Sequence, residues 1–237
     1  MQIKLIKTTL LILLFMVAIG SSTAQSEYDT VVIQDMESWT AAKFQLKVNK
    51  KLKFQLSQQL RLKHNSSELE RTFTQLKGEY KINSNFSFGA GYRFILEQKS
   101  TDFLMQHRFQ FDGAYSFKLE RFRGDVRLRY QSVKVPSLES KLADNHLRGK
   151  FEIGYNIKSW KLDPYVSTEI FRQVVSDYTT GFDKIRFQMG TTYDFNKKHS
   201  ISAFYGFEKE LNELYPKITY LFGVSYKYKL KLKKNED

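Results

Sequence analysis

The chain has 237 residues, a formal charge of +13, 15% aromatic residues and no cysteine. The absence of cysteine excludes a disulfide framework, a thiolate metal site and a cysteine nucleophile. So positive a chain invites a nucleic-acid partner, but its N-terminal segment points to export. An anionic lipid or lipopolysaccharide surface, or a basic lumen, is the expected counterpart instead.

Residues 1–24 have the layout of a cleaved secretory signal peptide: Lys4 and Lys7, an apolar run over 10–19, then Ser22-Thr23-Ala24 before Gln25. The run is shorter than the roughly 20 residues a membrane-spanning helix needs, and no cysteine follows for lipid attachment. Residues 25–237 read as one domain.

Beyond residue 40 the chain alternates. Ala42, Phe44, Leu46 and Val48 face one way, and Lys43, Gln45 and Lys47 the other. After a turn at Asn49, Leu52, Phe54, Leu56, Leu60 and Leu62 oppose Lys53, Gln55, Ser57, Gln59, Arg61 and Lys63. A less regular third segment sets Thr72, Thr74, Leu76 and Tyr80 against Arg71, Gln75, Lys77 and Glu79. Residues 86–96 form the clearest ribbon: Phe86, Phe88, Ala90, Tyr92, Phe94 and Leu96 oppose Ser87, Gly89, Gly91 and Arg93, and only Ile95 breaks the pattern. The same period returns around residues 105–117, 122–130, 147–156, 162–171, 185–194, 201–208 and 220–229. A period of two is the signature of strands; on a helix these apolar residues would be smeared around the surface.

Three further regularities point to a transmembrane barrel and away from a soluble sandwich. Connections alternate between short turns (near Asn49, Asn83, Lys118, residues 158–160 and 196–198) and longer polar segments (64–68, 97–101, 132–145, 173–182 and 209–214), as in outer-membrane barrels. Strands of roughly 10–13 residues suit a tilted membrane strand better than a soluble sheet. Aromatic residues gather at both ends of the apolar face, as in interfacial girdles. An arginine or lysine at the bilayer midplane would cost about 2–4 kcal/mol, so the charged face must be the lumen. Eleven strands are clear, and a further strand within residues 27–36 would give the usual even number. The expectation is an all-β, antiparallel up-and-down transmembrane β-barrel of about 12 strands, with ten as the alternative.

Candidate chemistry is sparse. His64, His107, His146 and His199 are the only histidines, and they suggest no metal site. His107 falls on the lipid-facing side, but no serine lies two positions away to pair with it as a nucleophile. The lumenal charges say more: Arg61, Arg93, Arg108, Arg127, Arg129 and Arg186, together with Glu152, Glu169 and Glu208, form either a structural charge network or a solute site. Gly89 and Gly91 leave the inner side of the ribbon at 86–96 unusually empty, so space for a solute is expected there.

Trp39 leads into a strand that turns at Lys50-Lys51-Leu52, followed by Gln58-Gln59-Leu60-Arg61, PYVSTEIF at residues 164–171 and Lys184-Ile185-Arg186. In these features the chain resembles the "domain of unknown function 2490" family of outer-membrane barrels common in the Bacteroidota. The resemblance covers nearly all of the chain after the signal and implies a barrel in the outer membrane, with no defined activity or ligand.

The expected location is the outer membrane of a Gram-negative cell. The expected partners are outer-membrane lipid and lipopolysaccharide, with the barrel-assembly machinery during insertion; the barrel is expected to be a monomer without a cofactor. Tyr226 and Tyr228 are candidates for the insertion signal. The expected function is a passive small-solute pore or a structural component. An outer-membrane lipid-modifying enzyme of phospholipase or acyltransferase type is the alternative, and a soluble secreted β-rich binding protein is a third reading.

Overall fold

A computed structural model describes residues 32–100, 102–136, 144–174 and 181–232. The alternating segments become β1 (Ile33–Lys47), β2 (Leu52–Lys63), β3 (Glu68–Lys81), β4 (Phe86–Gln98), β5 (Phe103–Leu119), β6 (Phe122–Lys134), β7 (Asp144–Tyr155), β8 (Leu162–Gln173), β9 (Phe182–Asp194), β10 (His199–Glu210) and β11 (Lys217–Lys231). Each pairs antiparallel with its sequence neighbours, and the sheet closes on itself. The signal segment and residues 27–31 lie outside the described residues.

Closure departs from expectation. Among the described residues there are eleven strands, so β1 and β11 run in the same direction and meet in a parallel seam from Ile33↔Lys217 to Lys47↔Lys231. Residues 33–36, expected within a separate twelfth strand, are the start of β1, held in line by pairing with β11 along its whole length.

The barrel is built inside out. Phe88, Phe111 and Leu128 on its outer wall are 60%, 61% and 67% exposed, a continuous apolar surface that water would not tolerate. A polar site in the wall satisfies itself: Gln58 Nε2 donates to Thr72 Oγ1 at 2.7 Å, and Thr74 Oγ1 donates to Gln58 Oε1. Aromatic contacts mark both rims. Phe86–Tyr115, Phe122–Tyr155 and His199–Tyr228 lie toward one, with centroids 4.8, 4.9 and 5.0 Å apart. Phe187–Phe207 and Tyr205–Phe222 lie toward the other, at 5.2 and 4.9 Å.

Asparagines set three of the turns at one rim. Asn49, Asn83 and Asn196 each accept two backbone N–H groups with the side-chain oxygen, at 2.7–2.9 Å, which closes a turn without help from the rest of the fold. This is the turn end; the opposite rim is the loop end. The strict alternation of connection length does not hold there: residues 64–67 and 99–102 are no longer than the turn at 48–51. The first of these is tight because His64, Asn65 and Ser66 all take positive φ (51, 56 and 64°), a strained run for residues other than glycine.

Asp35 holds that corner and the seam together. Its carboxylate accepts from the backbone N of Asn65 at 3.0 Å and of His64 at 3.3 Å, and from Lys217 Nζ on β11 at 3.0 Å. Asp35→Ala is expected to destabilise the barrel by about 2 kcal/mol, the scale for leaving buried donors unsatisfied. Lys217→Ala should cost less, because Asp35 keeps its backbone donors. The midpoint of urea unfolding in detergent checks this, and an unchanged midpoint for Asp35→Ala refutes it.

Candidate functional site in the lumen

Strand parity sends the charged face inward, where charges must find partners or stay in water. At the loop-end half they find partners. Glu169 on β8 accepts from Arg127 Nη2 (2.8 Å) on β6, from Arg148 Nη2 (2.8 Å) and Nε (3.2 Å) on β7, and from Arg186 Nη1 (3.3 Å) on β9. Arg186 also pairs with Glu208 on β10, which Lys184 joins at 2.8 Å. A second cluster centres on Asp112 of β5, gripped by Arg129 Nε and Nη2 at 2.6 and 2.9 Å and by Lys77 Nζ at 2.5 Å.

That last contact explains the glycine-rich ribbon. Lys77 lies on β3 and Asp112 on β5, so the lysine must cross β4 at Gly89; a Cβ there would lie 3.0 Å from Lys77 Cε. Gln110 lies across Gly91 in the same way, 3.2 Å from where a Cβ would sit. The inner side of residues 86–96, expected to offer space, is therefore filled by its neighbours.

Aromatic and aliphatic side chains occupy the rest of this half. Arg61 lies 3.6 Å from the centroid of the Trp39 ring, Arg93 3.8 Å from that of Phe73, and Arg148 4.3 Å from that of Phe171, all within range of cation–π attraction. Ile95, Leu221 and Gln110 are 0%, 1% and 1% exposed. Although they face the lumen, neighbouring side chains cover them and keep them out of contact with water.

The turn-end half is different. A cavity of about 910 Å³ opens there, floored by Trp39 and Phe204 and lined by Lys43, Gln59, Arg123, Glu152, Tyr165, Gln188, Thr192, Ser202, Ser225 and Lys227. Trp39 and Phe204 meet edge to face at 5.7 Å. Gly223, opposite Phe204 in the ladder, leaves room for that ring: a Cβ would stand 1.9 Å from it.

The nine candidate residues thus fall into separate groups. Arg127, Arg186, Glu169 and Glu208 share one network, and Arg129 serves the Asp112 cluster. Arg61 and Arg93 are held by aromatic rings, with Arg93 Nε also donating to Gln75 at 2.8 Å. Arg108 lies in the same packed half, its Nε buried without a hydrogen-bond partner among the described residues. Glu152 is not in the network; it pairs with Lys150 at 2.8 Å and faces the cavity. Trp39, Phe73, Phe171, Phe204 and Leu221 were not legible as lumenal residues, although each falls at an inward position of its strand. On the outer wall, His107 Nδ1 is hydrogen-bonded to Tyr92 Oη at 2.6 Å, so its partner is a phenol and not a serine nucleophile.

A closed up-and-down sheet with an apolar exterior and a charged interior defines a transmembrane β-barrel. Residues 36–210 match the family described as "Protein of unknown function (DUF2490)", and the chain belongs to that family. No curated protein matches it. Among solved structures it is similar to the beta domain of the Bordetella autotransporter BrkA, at 12% identity and a TM-score of 0.48 over 76% of this chain and 84% of that one. It is also similar to the NanC porin, at 12% identity and a TM-score of 0.48 over 73% of this chain and 86% of that one.

Because Glu169 neutralises three arginines in a packed interior, Glu169→Ala should cost about 3–5 kcal/mol, the price of orphaning buried charge. Glu68→Ala, which breaks the exposed 2.8 Å contact with His64, should stay within about 1 kcal/mol. Equal losses in urea unfolding would refute the difference.

Proposed function

We propose that the protein is an outer-membrane barrel that admits small polar solutes to its turn-end chamber and keeps the path through the loop-end half shut. The packed ion-pair and aromatic layer around Glu169 and Trp39 carries this reading, with Ile95, Leu221 and Gln110 in the lumen out of contact with water. In outer-membrane barrels short turns face the periplasm, so the chamber opens to the periplasmic side. Lipid and lipopolysaccharide surround the apolar wall, and the barrel-assembly machinery inserts it. A purely structural role rests on the same closed layer.

Planar-bilayer recording tests the proposal. The wild-type barrel should show no steady open current, whereas the double variant Arg148→Ala, Glu169→Ala should show discrete conductance steps. A stable ohmic current through the wild type would overturn it.

A further inference from the structure

Among the described residues, neither Lys43 nor Lys227 of the chamber forms an ion pair with a carboxylate. Lys43 and Lys227 stand directly opposite each other across the β1–β11 seam, and both line the cavity. Lys43 Nζ donates to Ser225 Oγ at 3.1 Å; no side-chain hydrogen bond or ion pair joins Lys227 to another described residue. Four carboxylates line the cavity with them, Glu120, Glu152, Asp163 and Asp194: Asp194 pairs with Lys229 at 2.9 Å and attracts Lys227 from a longer range, Glu152 pairs with Lys150 at 2.8 Å, and Asp163 accepts from Asn156 Nδ2 at 3.1 Å. Like charges directly opposed in a sheet repel and destabilise it, and here the repulsion sits in a half-buried recess where water screens it less.

The surroundings suit a ligand that is anionic at one end and hydroxylated elsewhere. Ser225 is paired in the ladder with Ser202, whose hydroxyl meets Thr192 Oγ1 at 2.8 Å. This gives a row of hydroxyls leading away from the lysines along one wall. Gln59 and Gln188 offer amides from other strands, and Trp39 and Phe204 close the floor with aromatic surface. Ammonium groups, hydroxyls, amides and an aromatic floor together are the donor set for an acidic sugar.

We propose that the turn-end chamber binds a small sugar carrying a phosphate or carboxylate group, with Lys43 and Lys227 holding the anionic group and the Ser225–Ser202–Thr192 row holding its hydroxyls. The inference rests on the proposed closed lumen, because Trp39 must form a floor and not a passage.

Trp39 supplies the readout. The chain has two tryptophans, and the other, Trp160, is exposed in the β7–β8 turn. In a Trp160→Phe background in zwitterionic detergent, glucose 6-phosphate and glucuronate should each change Trp39 emission saturably, and glucose should not. Lys43→Gln and Lys227→Gln should each weaken binding at least tenfold, whereas Lys63→Gln at the loop end should leave it unchanged. Lys227→Gln is the safer variant for folding, since it breaks no side-chain hydrogen bond or ion pair. Equal binding of glucose, no binding of either anion by the folded barrel, or undiminished binding in Lys227→Gln would overturn the proposal. So would saturation by dihexanoyl phosphatidate alone, which would assign the lysines to a lipid headgroup. A barrel that binds neither anion and carries no current overturns only this inference; one that binds and conducts ohmically overturns only the closed lumen.

Discussion

Glu169 takes hydrogen bonds from arginines on β6, β7 and β9, and much of the interior depends on that one carboxylate. A transmembrane barrel turns its apolar residues outward, so the cohesion a soluble protein gains from an oily core must come from elsewhere. Here it comes from charges that neutralise one another across neighbouring strands, with guanidinium groups laid over Trp39, Phe73 and Phe171. Arginine suits this use because its planar head can stack on a ring while its edge donates hydrogen bonds. Removing the acid would leave several cations facing each other with little water between them.

The two halves of the lumen follow from how the carboxylates are distributed. At the loop end Glu169, Glu208 and Asp112 are matched to cations with little room left over. Toward the turn end Lys43 and Lys227 have no such match, and the space beside them remains open. One barrel thus carries a densely packed section and an open one, with Trp39 and Phe204 at the floor of the second.

Alternation made the barrel legible because lipid and lumen impose opposite chemistries on successive residues. The interior packing was harder to read. Phe73 sits between Thr72 and Thr74, both on the outer wall, so its strand looked merely irregular, although parity alone puts the ring inside. Ile95 was visible as an exception, and it is one because its side chain belongs to the packed section. Gly89 and Gly91 were read as room when they are crossings for Lys77 and Gln110; which neighbour fills a glycine's space depends on strand order and register. The Lys43–Lys227 pair could not be found under an expected count of twelve, because a twelfth strand would have come between them. Only direct contact of β1 with β11 opposes the two lysines.

The parallel seam also has a consequence for how the barrel forms. Every other junction joins strands adjacent in sequence and can grow as a hairpin from its own turn. The seam joins groups 182 residues apart, as in the Lys217–Asp35 contact, and it must wait until the whole sheet has curled round. Parallel ladders are also slightly weaker per residue than antiparallel ones. Closure is therefore the one step that must overcome a long-range search, and the Lys217–Asp35 ion pair, which spans the seam at its loop end, can form only once that search is over.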